Sequence, residues 1–193
     1  MRSCVVVLFG PPAAGKDTIT ARLQATDSRF RYFPKLKVGG GRGFGYRVTD
    51  ERTAAVLRDA GQIVSEVERY GNRYLVDEPY LMRESRTGIP VIHTASSQEY
   101  LALLRHPKLD CRGVFVWAGR EVTAARLRAR NSVDVIARLR VWDETIVDVA
   151  RSGPAFDAEW DTGFVSPDDS ARRIVELVSA DPTAPQDSGI SEV

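Results

Sequence analysis

The constraint that matters most lies at the front of the chain. The run Val5, Val6, Val7, Leu8, Phe9 leads into Gly10-Pro11-Pro12-Ala13-Ala14-Gly15-Lys16-Asp17-Thr18. An apolar strand, a glycine-bounded loop and an amphipathic segment follow in that order, which is the context a phosphate-binding loop needs. In such a loop the main-chain N–H groups converge on an anion, and the helix start adds partial positive charge. Gly10 and Gly15 permit backbone angles and a close approach that a Cβ would block. Lys16 supplies a point charge for β- and γ-phosphates. Residues Gly10, Pro11, Pro12, Ala13, Ala14, Gly15, Lys16, Asp17 and Thr18 are therefore the candidate ATP-binding set.

One position departs from the usual pattern, which has a hydroxyl after the lysine to hold Mg²⁺. Here Asp17 stands there, followed by Thr18. Magnesium prefers hard oxygen ligands and keeps several waters, so Asp17 and Thr18 are the candidate metal residues. The extra negative charge beside a triphosphate calls for basic groups to offset it.

The chain has 193 residues, enough for one α/β domain with a sizeable core, 43% of them hydrophobic. Its net charge of +1 favours neither nucleic acid nor a membrane surface. Of 27 basic residues only Lys16, Lys35, Lys37 and Lys108 are lysine. Cys4 and Cys111 fall in apolar runs and read as reduced, buried thiols of a cytoplasmic protein. No apolar run approaches the roughly 20 residues that span a bilayer.

Periodicity predicts strands at 5–9, 30–33, 62–67, 90–95, 112–117 and 163–165. Helices are predicted at 18–25, 49–61, 77–88, 99–105, 121–130, 133–149 and 168–178. A turn at Gly71-Asn72 suggests a hairpin. Residues 34–46 hold five glycines and the basic Lys35, Lys37 and Arg42, and read as a mobile cationic loop. The tail, residues 181–193, is rich in Pro, Asp and Ser and reads as disordered. Short apolar strands alternating with helices imply an α/β fold: a parallel sheet with helices on both faces. Ligands then bind beyond the carboxyl ends of the strands, where the glycine loop, residues 94–97 and the loop after Trp117 gather.

This order of pieces resembles the guanylate kinase superfamily of P-loop kinases. The form Gly15-Lys16-Asp17-Thr18 is closest to its ribose 1,5-bisphosphate phosphokinase branch. Carrying the resemblance are the loop, Gly71-Asn72-Arg73-Tyr74, and Arg126-Leu127-Arg128-Ala129-Arg130 followed by Arg138-Leu139. It implies a single kinase domain over residues 1–180. Its core would be 3–33, 88–125 and 150–178, its substrate lobe 34–87 and its lid 126–149. It further implies catalytic roles for Lys16 and for the lid arginines Arg126, Arg130 and Arg138. Guanidinium groups bind phosphoryl oxygens in pairs and stay charged, as phosphoryl transfer requires.

Acceptor binding would fall to Lys35, Lys37, Arg42, Tyr46, Ser65, Glu66, Tyr74 and Ser96. The family reads guanine with a glutamate, where this chain has Ser65; a shift of one residue would bring Glu66 there instead. The resemblance thus implies an enzyme that moves the γ-phosphate of Mg²⁺-bound ATP to a small phosphorylated acceptor. That acceptor is a sugar bisphosphate or an unusual nucleoside monophosphate. A true guanylate kinase acting on GMP or dGMP, and a non-catalytic binding module, are the alternatives. Neither nucleic acid nor membrane is an expected partner, and the state is monomer or homodimer. His93, in a strand ending near the loop, reads as a core histidine.

Overall fold

The computed structural model describes residues 2–180 apart from 42, 70, 153 and 154. In chain order the elements are β1 (Ser3–Phe9), α1 (Lys16–Thr26), β2 (Phe30–Tyr32), β3 (Leu36–Val38), β4 (Arg47–Thr49), α2 (Glu51–Asp59), β5 (Ile63–Arg69) and β6 (Asn72–Asp77). There follow α3 (Glu78–Glu84), β7 (Ile89–Thr94), α4 (Ser97–Arg105), β8 (Leu109–Trp117), α5 (Arg120–Ala129), α6 (Val135–Ser152), β9 (Ala158–Asp161) and α7 (Pro167–Ser179).

A five-stranded sheet has the order β2-β7-β1-β8-β9, every pair parallel. β1 lies at its centre and is apolar and buried from Cys4 to Phe9 because both faces are covered. Side chains alternate across a strand. Val6 and Leu8 therefore pack with Ile19 and Leu23 of α1 and Ile174 of α7. Val5, Val7 and Phe9 pack on the other face with Tyr100 and Leu103 of α4. Cys4 and Cys111 are free thiols, and burial raises them to about 11 and about 12.

The second sheet has the order β4-β3-β6-β5, antiparallel except for β3 on β4. It corrects the expectation of a mobile loop over 34–46. β3 runs through that stretch, with Lys37 opposite Tyr74. Lys35 and Lys37 are buried together with Leu36, because each ammonium has a polar partner inside the fold. The β5–β6 pair closes at Arg69 opposite Asn72, one residue before the expected turn. The last strand also differs from expectation. β9 spans Ala158–Asp161, where Trp160 is buried, whereas 162–164 form a turn with Phe164 in solvent. Asp161 fixes that turn by accepting from the Gly163 amide at 2.6 Å. Arg42 and the tail at 181–193 lie outside the described residues. No helix among the described residues is long and apolar enough to cross a membrane.

Gly10 is fixed by contact as well as by motif. A Cβ there would stand 1.9 Å from the Val116 carbonyl oxygen of β8. Gly10→Ala must therefore push β1 and β8 apart. Urea unfolding is expected to report a loss of about 1–3 kcal/mol or more, and an unchanged midpoint would mean the strands yield without strain.

Candidate active site

The glycine loop follows β1 at the carboxyl edge of the sheet. The Gly10 amide donates to the Thr94 carbonyl of β7 at 2.9 Å. Ala13 and Gly15 both take left-handed angles, with φ of 59° and 92°. Gly15 precedes α1 and caps it with no side chain. By contrast α2, α3, α4 and α7 are each capped by an aspartate or serine. The first amides of α1 thus remain available to an anion. Lys16 folds over its own loop and donates to the carbonyls of Gly10 at 2.5 Å and Pro11 at 2.8 Å. Burial lowers its pKa to about 8, with Asp17 opposing the shift.

Asp17 points to one side of the loop. Its carboxylate is 3.5 Å from His93 Nδ1, and His93 Nε2 lies 2.7 Å from the Thr20 hydroxyl. With Thr20 donating to Nε2, the ring proton sits on Nδ1 and faces Asp17. That contact is the main cause holding Asp17 down at about 2. Burial keeps His93 below the usual histidine range, and its ring meets Tyr32 edge-on. His93 is thus not a core residue alone, because it also lines a cavity.

Two cavities flank the loop. The larger, about 250 Å³, is lined by Lys16, Asp17, Lys35, Tyr46, Tyr74, Ser96 and Glu99 among others. The smaller, about 200 Å³, is lined by Gly15, Thr18, Arg126, Thr162 and Ser170 among others. Asp17 and Thr18, read together as metal residues, therefore open onto different cavities.

The three arginines are also distributed between them. Arg126 donates to Ala13 O at 3.2 Å, Thr162 Oγ1 at 2.9 Å and Thr162 O at 2.8 Å. It is braced between the loop and the turn after β9, on the side of the smaller cavity. Arg130 lines both cavities. Arg138 lines the larger one, and its Nε donates to Asp134 at 2.7 Å.

The acceptor set is partly brought together. The rings of Tyr46 and Tyr74 lie 5.1 Å apart in the larger cavity. Lys37 donates to Gly40 O at 2.5 Å and is absent from the cavity wall. Glu66 is turned away and pairs with Arg58 at 2.7 Å. The period of two in β5 explains this: Val67 and Arg69 reach the cavity, and Ser65 lies in step with them. The shift that would bring Glu66 to the pocket does not occur.

Several lining residues were not singled out from sequence, Glu99 and Arg69 among them. Glu99, 1% exposed, pairs with Lys35 at 2.5 Å and accepts from Thr94 Oγ1 at 2.7 Å. Ser65 Oγ lies 3.5 Å from it. In sequence Glu99 looks like any acidic residue in the first turn of a helix.

No group of three or more His, Cys, Asp or Glu side chains among the described residues forms a metal cage. One exposed carboxylate beside the open amides, at Asp17, still suits Mg²⁺, which takes few protein oxygens when phosphates and waters supply the rest.

The fold can be compared with solved structures. Guanylate kinase from Anaplasma phagocytophilum superposes with a TM-score of 0.64, covering 93% of this chain and 86% of that one, at 18% identity. The chain has the guanylate kinase fold. In sequence it is 34% identical over 80 residues to a guanylate kinase of Cereibacter sphaeroides. That match spans 38% of this chain and 37% of the relative. No protein-family model matches the chain.

Glu99 gives a direct test of the pocket within this guanylate kinase-like fold. Glu99→Ala leaves Lys35 buried and unpaired, and urea denaturation is expected to show a loss of about 3–5 kcal/mol. Glu99→Gln keeps an acceptor for Lys35 and should lose clearly less. Equal losses would mean that packing, not the ion pair, sets the stability there.

Proposed function

We propose that this chain is an ATP-dependent phosphotransferase that passes the γ-phosphate to a small, already phosphorylated acceptor. The observation that carries the reading is the position of the glycine loop and Lys16 between two cavities, with Arg130 lining both. The smaller cavity takes the nucleotide: Thr18 and Arg126 border it beside the loop amides. The larger cavity takes the acceptor, its phosphate held by Tyr46, Tyr74 and Arg138. We read the protein as a cytoplasmic enzyme with small-molecule partners, as monomer or homodimer.

On this reading Lys16 leaves the Gly10 and Pro11 carbonyls when polyphosphate arrives and donates to the β- and γ-oxygens. An acceptor phosphate oxygen attacks the γ-phosphorus in line, and ADP departs from the far side. The acceptor oxygen is already ionised, so positioning and charge neutralisation supply the catalysis. Arg130 neutralises the equatorial oxygens from the junction, while Arg126 steadies the loop. Asp17 would hold Mg²⁺ beside the phosphates, where the ion offsets their charge.

Transfer to GMP is the second reading, favoured by the sequence match to a guanylate kinase. Against it stand Ser65 at the base-reading position and Glu66 paired with Arg58.

ADP release with a panel of acceptors (sugar phosphates, sugar bisphosphates and nucleoside monophosphates) tests the proposal. Turnover with one class is expected, and Lys16→Ala should lower it by about 10²–10³-fold or more. Nucleotide binding without turnover on any acceptor would support a binding module instead. A separate measurement addresses Asp17. Calorimetric titration with ADP, with and without Mg²⁺, should show that Asp17→Ala weakens the Mg²⁺-dependent gain by about tenfold. The same gain in both proteins would remove Asp17 from the metal site.

A further inference from the structure

We propose that the Lys35–Glu99 ion pair sets acceptor specificity, admitting an acceptor that presents alcohol hydroxyls at this end of the larger cavity and turning away a guanine base. The inference rests on the phosphotransferase reading above. Both residues line the cavity, and both are shielded from bulk water, with side chains 9% and 1% exposed. They come from opposite walls. Lys35 immediately precedes β3 of the small sheet, and Glu99 stands in the first turn of α4 beside the main sheet.

The hydrogen-bond capacity of the pair decides what it can read. A guanine edge offers adjacent N–H donors, which need a carboxylate with two free oxygens. Glu99 cannot serve both donors: Oε1 takes Lys35 at 2.5 Å, with Ser65 Oγ at 3.5 Å, and Oε2 takes Thr94 at 2.7 Å, which leaves about one of a carboxylate's roughly four acceptor sites. The other lining carboxylate, Asp17, is beside the phosphate loop and in contact with His93. Glu66 is outside the cavity. A guanine here would bury donors without acceptors, which is a costly arrangement.

Lys35 has three donors, and its bond to Glu99 is the one seen among the described residues. Its remaining donors suit an oxygen acceptor. A hydroxyl both accepts and donates, so it can take a hydrogen bond from Lys35 and give one to a lone pair left on Glu99. The cavity as a whole suits an anion. Its charged lining comprises Lys16, Lys35, Arg69, Arg130 and Arg138 against Asp17 and Glu99. The favoured acceptor is therefore a hydroxylated phosphate with no purine.

Ribose 5-phosphate and GMP are the probes, since they share phosphate and sugar and differ at the base. Calorimetric titration of the full chain with each, ADP present, is expected to favour ribose 5-phosphate by about tenfold or more. In Lys35→Met/Glu99→Met, where two apolar side chains replace the pair, that preference should vanish while ADP affinity stays within about twofold. Replacing a buried ion pair with apolar residues of similar size is commonly tolerated. If the double variant loses its native circular dichroism, Glu99→Gln serves instead and should reduce the preference at least threefold. Equal or tighter binding of GMP by the unaltered protein overturns the inference and leaves phosphoryl transfer standing. So does a preference that neither variant changes. Absence of transfer to every acceptor in the panel overturns the reading beneath it and this inference together.

Discussion

The contact between Gly10 and β8 is the constraint on which the rest depends. β1 lies between β7 and β8, and its last residues approach the Val116 carbonyl more closely than any Cβ allows. That approach sets where the chain leaves the sheet. The turn through Ala13 and Gly15 then delivers α1 with its first amides uncapped. A helix start left open in this way is a polar liability unless an anion or water meets it. α2, α3, α4 and α7 meet that need with their own side chains, while α5, behind Gly119, shares the open start of α1.

The ends of the parallel strands bring the other polar groups to the same edge. β7 ends at Thr94, which accepts from Gly10 through its carbonyl and donates to Glu99 through its hydroxyl. β9 ends at Asp161, and the next residue, Thr162, ties Arg126 to the loop. One short loop is thus held from the ends of β7 and β9, on either side of β1 in the sheet. The two cavities are the spaces left on either side of it.

The main sheet was largely legible because its strands are apolar runs whose cause is local. The phosphate loop was legible for the same reason: two glycines and a lysine at fixed spacing state their geometry without help from distant residues. β3 was not. Leu36 stands between two lysines in a glycine-rich stretch, and that pattern is also what a solvated loop looks like. Only Glu99, far along the chain, makes burial of Lys35 tolerable, and nothing near Lys35 announces it. The arginines were partly legible. Their spacing suggested a shared task, yet the fold sends Arg126 to Thr162 and leaves Arg130 at the junction, a division set by the turn after β9. That turn was misread as a strand because Phe164 and Val165 are apolar, whereas Asp161 and Gly163 fix a bend.

The pairing of Lys35 with Glu99 also has a mechanical side. It rivets the small sheet to α4, and parting those charges in a dry interior costs several kcal/mol. The wall that carries Tyr74 and Ser65 is therefore pinned to the framework before any ligand arrives. On the opposite bank, α6 is tied to the same sheet by the more exposed Arg69–Glu144 pair at 3.0 Å, a contact worth far less. Of the two seams that border the cavity, the one joined by Lys35 and Glu99 is the stiffer.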